Sequence, residues 1–296
     1  MHHNEILIGT VVPVSEKTGS YIKQILPYGF ESFSLTFGGE VKVDLPKLAE
    51  EVKEAIGDSG AVISSICVYG NPLMDDEGAK RTLDGWYKLV DATELFGCDI
   101  VAGFAGRVVD VRIDQSIEKF AEVFTPLAKK ANDKGVRLAF ENCDMGGTWY
   151  RGNWNIAQTP AAWDLMFEAV PFENIGLQWE PCHQMVKLID PILQLKKYAK
   201  RVFCLHGKDA TVMWDVVREH GVFGPHTFAY HRTPGFGDSN WTDIISILRM
   251  NGFKGSIDIE GWHDPVYNKE LEMTGQVHAL NYLKNCRGGS YVPNPE

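Results

Sequence analysis

No run of about 18 apolar residues occurs in this sequence, so it offers no candidate for a membrane-crossing helix. The N-terminal MHHNEILIG also lacks the charged and apolar regions of a secretory leader, and a cytoplasmic protein is expected. Paired cysteines are missing as well. Cys67, Cys98, Cys143, Cys182, Cys204 and Cys286 form no CxxC, which argues against a zinc knuckle and against a disulfide framework. Positive charge is scarce: 29 Lys and Arg face 39 Asp and Glu, a net charge of −10. Nucleic-acid backbones and anionic membranes are therefore not expected partners, since both need clustered cations to displace counterions. Neither GxGxxG nor GxxxxGK[ST] occurs, so nucleotide binding loses its usual signatures.

What is present is a repeat of short apolar runs and longer stretches of helical period. The runs are Ile6 to Val12, Phe30 to Phe37, Ala61 to Tyr69, Asp99 to Phe104, Val136 to Glu141, Ile175 to Trp179, Arg201 to His206 and Ser256 to Glu260. Helical spacing marks Leu45 to Ile56, Ala79 to Phe96, Ile113 to Asn132, Ala161 to Ala169, Trp241 to Met250 and Lys269 to Leu283. Gly97, Gly135, Gly252 and Gly255 follow helices, as left-handed C-caps or tight turns require. Eight strands alternating with helices predict an α/β fold, a (β/α)8 TIM barrel occupying residues 1–296 as a single domain. Two connections are long, 142–159 and 207–240, and both are rich in aromatic, His, Arg and Gly residues. Both follow strands, which places them at the barrel face where active sites form.

The ends of the last four strands carry the chemistry. They supply Glu141, then Glu180 with His183 just beyond, then His206, then Glu260. A carboxylate closing an apolar strand is costly unless it is paired or metal-bound. Three carboxylates and an imidazole make an oxygen-rich site suited to Mn2+ first, with Mg2+ and Co2+ as alternatives. Such an ion bridging a carbonyl and its neighbouring hydroxyl acidifies the adjacent C–H, and Glu141 and Glu260 are the natural pair to remove and return the proton. His183, Lys208, Asp144 and Arg232 are candidates for substrate contact, and Trp149, Tyr150, Trp154, Trp214 and Trp262 for stacking on a sugar ring. Asp258 shares the inward face with Glu260 and is read as either a buffer of the site or a buried structural acid. His2 and His3 are read as a solvated terminus.

The segments FENC, LQWEPCH, LHGKDA, RTPGFGDSNW and GSIDIEGWHD together resemble the xylose isomerase-like TIM barrel superfamily over nearly the whole chain. That group includes ketose epimerases, inosose dehydratases, hydroxypyruvate isomerases and endonuclease IV. The resemblance implies that Glu141 and Glu260 bind metal and shuttle the proton, that Glu180 and His206 complete the coordination, and that His183 touches a substrate oxygen. Two positions depart from the family pattern. Glu180 stands where relatives more often have Asp, and Asp144 stands where many carry His.

The expected activity is a divalent-metal-dependent isomerase or epimerase of a small sugar, working through an enediolate. The alternative is a metal-dependent lyase or dehydratase of keto-sugars, including cleavage like that of C-glycoside deglycosidases on 3-keto glycosides. A homo-oligomer is the partner the first reading allows, and a small second subunit the partner under the lyase reading. A non-catalytic sugar-binding barrel is a further rival. An endonuclease IV-like activity is remote, because the early strands offer Glu31, Ser34, Ser64 and Tyr69 but no histidine for a zinc cluster.

Overall fold

The computed structural model describes residues 6–290 and 292–295, so His2 and His3 lie outside the described residues. Its strands are β1 (Ile6–Pro13), β2 (Ser32–Phe37), β3 (Val62–Val68), β4 (Ile100–Gly103), β5 (Arg137–Glu141), β6 (Ile175–Trp179), β7 (Val202–Gly207), β8 (Asp209–Val212), β9 (Ala229–Arg232) and β10 (Gly255–Ile259). The helices are α1 (Thr18–Ile25), α2 (Leu45–Ile56), α3 (Glu77–Phe96), α4 (Ile117–Asp133), α5 (Pro160–Ala169), α6 (Cys182–Met185), α7 (Pro191–Tyr198), α8 (Trp214–His220), α9 (Trp241–Met250) and α10 (Glu272–Cys286). Eight parallel strands close in the order β1, β10, β7, β6, β5, β4, β3, β2. They correspond to the eight runs read from the sequence, with ends shifted by no more than two residues.

The barrel strands are buried on both faces, which is why they read as nearly unbroken apolar runs. Outside them, Trp86 of α3 and Phe120 and Phe124 of α4 pack edge-on or tilted against one another and onto Phe140 of β5, at centroid distances of 4.9–6.0 Å. This cluster fixes Phe140 outward, so strand alternation turns the next residue, Glu141, into the barrel. Asp44 and Asp76 cap α2 and α3, accepting from Lys47 N at 3.1 Å and Ala79 N at 2.8 Å.

The two ends of the chain close the barrel together. Arg287, after α10, donates to Ile6 O at 2.7 Å and grips Glu31 at 2.5 and 3.0 Å, while Ile8 N donates to the same carboxylate at 2.9 Å.

Several details differ from the sequence expectation. The 207–240 segment is not an unstructured connection: β8 and β9 form an antiparallel hairpin and α8 lies between them. Their four-residue strands DATV and AYHR are too short and too polar to show a period. Helices α1, α6, α7 and α8 were also not marked by apolar spacing. Gly97 and Gly135 adopt left-handed φ values of 66° and 70° as expected, but Gly255 does not. A Cβ there would lie 2.7 Å from the Phe253 ring and 3.0 Å from Phe203 O, so close packing at the start of β10 explains that glycine. All six cysteines are free. Among the described residues, no helix is long and apolar enough to cross a membrane.

Candidate functional site

Each inward residue is placed by a strand end. Glu141 closes β5, Glu180 follows β6, His206 lies near the end of β7 and Glu260 follows β10, where its N–H donates to Gly207 O at 3.2 Å. Asn142 clamps two of these ends, donating to Glu180 O at 2.9 Å and accepting from Glu180 N at 2.8 Å. Asn155 folds the 142–159 loop back, donating to Glu141 O and Cys143 O, both at 2.7 Å. Below them Asp258 is held by hydroxyls of Ser32, Ser64 and Ser256 at 2.6, 2.8 and 2.6 Å. Its acceptors are thereby satisfied within the barrel, which makes it a structural acid and not a member of the cluster.

His206 Nδ1 lies 3.3 Å from Glu141 Oε1 and 3.1 Å from Glu260 Oε2. One ligating atom from each of these three residues falls within 4.8 Å of the others. A second triad, Glu141, Glu180 and His183, shares Glu141, and His183 Nε2 stands 2.8 Å from Glu180 Oε1. Lys208 Nζ donates to Glu260 Oε1 at 3.0 Å and lies 3.5 Å from His183 Nε2.

The electrostatics are those of a cation-seeking site. Burial would lower the His206 imidazole, but the two carboxylates beside it raise it well above its ordinary range. Burial first, then the charges of Glu180 and Glu260, push the Glu141 carboxyl up against the opposing pull of His206. Burial would do the same to Glu260, yet Lys208, His206 and His263 hold it well below the usual carboxylate range. Despite the short approaches, both Glu180 oxygens, Glu260 Oε2 and both His206 ring nitrogens lack an aligned hydrogen-bond partner. Buried carboxylate oxygens without donors are expensive, and a divalent ion held by Glu141, His206 and Glu260, with Glu180 reached through the neighbouring triad that shares Glu141, would remove that cost. The donor set fits such an ion.

Above the cluster opens a cavity of about 480 Å³, a volume ordinary for a small-molecule site. Glu141, His183, His206, Lys208 and Glu260 line it, with Asp144 at its edge. Asp144 is paired with Lys187, which outweighs the effect of burial and keeps its carboxyl below the ordinary value. Glu180 is fully buried behind this surface. Four sequence candidates are not brought in: Arg232, Trp149, and Tyr150 and Trp214, which are exposed away from the cavity lining. The Arg232 guanidinium is turned onto Asp264 at 3.0 Å, and Trp149 packs against the core while its carbonyl accepts from Arg107 at 3.2 Å. Trp154 and Trp262 line the cavity instead.

The sequence reading missed His231, His263 and Tyr69. His231 is carried by β9 to within 5.2 Å of the His183 ring, and burial, then Lys208, pushes its imidazole down to about 4. His263 Nε2 lies 2.9 Å from Glu260 Oε1. A signal for His263 existed: Glu260 and His263 repeat the three-residue spacing of Glu180 and His183. Tyr69 OH donates to Gln178 Oε1 at 2.7 Å and its ring forms part of the cavity wall.

Comparison with known proteins agrees with this architecture. The rhizopine catabolism protein MocC of Rhizobium meliloti is 27% identical over 180 residues, covering 56% of this chain and 46% of that protein. An inosose dehydratase of Clostridium perfringens is 26% identical over 175 residues, covering 58% and 55%. The chain thus spans about half the length of these curated relatives. In structure it resembles the 3-keto-D-glucoside 4-epimerase YcjR of E. coli in fold, with a TM-score of 0.70, 16% identity and coverage of 95% of this chain and 100% of that one. Residues 22–286 match the family described as xylose isomerase-like TIM barrel, and the chain belongs to that family.

Proposed function

We propose that this chain is a divalent-metal-dependent isomerase or epimerase of a small keto-sugar, acting by proton transfer at the carbon beside a carbonyl. The observation that carries the reading is the convergence of Glu141 and Glu260 on His206 at the floor of one cavity. Manganese is the proposed ion, with magnesium or cobalt as substitutes, because the donors are mostly carboxylate oxygens. When bound, a divalent ion supplies Lewis-acid polarisation of the substrate carbonyl.

The remaining steps belong to the chain. One of the pair Glu141 and Glu260 takes the proton from the carbon, leaving the C–H electron pair delocalised onto the carbonyl oxygen. The other returns a proton to complete the isomer. Lys208 and His263 orient Glu260 from the side away from His206, and His183 and Lys208 present N–H groups to substrate oxygens. Asp144 stays in the proposed substrate set, whereas Arg232 and Trp149 leave it. Trp154 and Trp262 shield the reacting carbon from water.

A lyase reading is supported by one observation: His183, Lys208 and His263 crowd beside the acids, so N–H groups stand where a departing hydroxyl would be. The name of the inosose dehydratase relatives points the same way. Both readings begin with the same proton abstraction.

The test is NMR in D2O with Mn2+-loaded protein and a panel of free ketoses and 3-keto glucosides. Deuterium beside the carbonyl together with a new isomer is the expected result. Exchange accompanied by loss of water or an aglycone moves the assignment to the lyase, and absence of exchange on every ketone overturns both.

A further inference from the structure

The reactive cavity has a neighbour at the barrel mouth. Tyr69 and Trp154 line it and also line a second cavity of about 620 Å³, which lies over the ends of β2 and β3 and the start of α3. Sharing these two side chains, they are adjacent halves of the open barrel mouth. The first is by itself ample for a single sugar ring, since about 300 Å³ already accommodates a small ligand. A substrate of one ring leaves the larger half of the mouth without a role.

The second half has its own chemistry. Its lining includes Gly39, where an added Cβ would sit in ordinary contact with Thr82 Oγ1 and Tyr69 O, both at 3.5 Å. Lys42 and Arg81 both reach Glu40, at 3.0 and 3.1 Å, and the Asp76 carboxylate is turned to the start of α3. The two cations are thus balanced by two carboxylates. This wall offers many hydrogen-bonding groups and no net charge, which disfavours a phosphate and disfavours an apolar aglycone. At the junction Trp154 keeps an indole face in solvent, 43% exposed, as a platform on which a ring can stack.

We infer that the substrate is a two-ring glycoside, with the ketone-bearing ring at Glu141 and Glu260 and a second, neutral polyhydroxylated ring in the cavity beside Trp154 and Arg81. The inference rests on the keto-sugar reading for the first ring only. Occupation of the second cavity adds binding energy remote from the reacting carbon, which such enzymes use to position the reacting ring.

The experiment compares 3-ketoglucose with 3-ketocellobiose on Mn2+-loaded protein, reading deuterium exchange by NMR, for the natural sequence and for Asn153→Trp and Arg81→Ala. Asn153 is an exposed loop residue lining the second cavity, so a larger side chain there narrows it without disturbing the core. The expected result is a kcat/KM for the disaccharide at least about tenfold above that for the monosaccharide. Asn153→Trp should abolish that preference and Arg81→Ala should reduce it. Equal kcat/KM for the two sugars, or a preference untouched by Asn153→Trp, overturns the second-ring inference and leaves the proton-transfer reading standing. If neither ketone exchanges, the proposed function fails, and calorimetry with cellobiose still decides the second cavity: saturable binding lost in Asn153→Trp supports it, and no binding overturns it.

Discussion

Lys208 Nζ lies 3.0 Å from Glu260 Oε1, and both side chains are more than nine-tenths buried. Burial would lower the lysine, but the neighbouring carboxylates, Glu260 first, raise it well above its ordinary value. A fixed ammonium therefore stands inside a cluster of three acids, partly offsetting their charge and holding Glu260 in place.

Replacing that ammonium should expose what it balances. Lys208→Met leaves Glu260 buried with one fewer partner, and the metal-free variant should lose about 3–5 kcal/mol of stability. Added Mn2+ should then stabilise the variant more than the parent, because the ion no longer competes with a neighbouring positive charge. Thermal melts with and without Mn2+ check this, and an equal gain in both proteins would contradict the charge-balance account.

Metal removal should act on stability as well as turnover. Chelation should lower the Tm, and Mn2+ at a hundred times its Kd should restore about 2.7 kcal/mol. Glu180→Gln should weaken Mn2+ binding by at least about tenfold, or roughly 1.4 kcal/mol, while the far-UV spectrum is kept. An unchanged calorimetric isotherm would remove Glu180 from the ligand set.

The loop bearing His263 is tied down by its neighbour Asp264. One Asp264 oxygen accepts from Arg232 Nε at 3.0 Å and Thr233 N at 2.9 Å, the other from Val266 N at 2.8 Å and Tyr267 N at 2.9 Å. Nearby, the Phe236 ring is stacked between Tyr267 at 3.9 Å and His278 at 4.2 Å. Asp264→Asn should cost about 1–3 kcal/mol in urea unfolding and lower kcat more than it raises KM, because His263 and Glu260 lose their fixed geometry. A variant normal in both measurements would show that the latch does not position the site.

Acid should loosen the closure between the chain ends. Burial would raise the Glu31 carboxyl, but hydrogen bonds from Arg287 and Ile8 N, with the Arg287 charge, bring it below its ordinary value. A carboxyl depressed in the folded state contributes stability above its unfolded pKa of about 4.3, and that contribution is lost as pH falls through the folded value. Glu31→Gln should be less stable than the parent at pH 7, and its Tm should fall less steeply between about pH 5 and pH 3. Parallel Tm curves would overturn the assignment.

The eight-strand barrel was legible because each barrel strand is buried on both faces, which forces an apolar run, and because α2, α3, α4, α5, α9 and α10 each show an apolar stripe. Glu141, Glu180, His206 and Glu260 were legible for the complementary reason: a charged residue at the end of such a run has no cheap structural explanation. His231 could not be found in this way, since it lies in a half-exposed hairpin strand that nothing in its own sequence marks. Arg232 beside it was expected at the substrate, and only the position of Asp264 on a different loop turned it away.

The sequence by itself determined the barrel, the order of its eight strands and the acids at its mouth, because these follow from local period and from the cost of burying charge. The tertiary structure decided which of those acids face one another, that Asp258 is satisfied by three serines, and that the reactive cavity shares Tyr69 and Trp154 with a second one. Those facts depend on distances between residues far apart in the chain. They are set by barrel closure and loop packing, which no local pattern encodes.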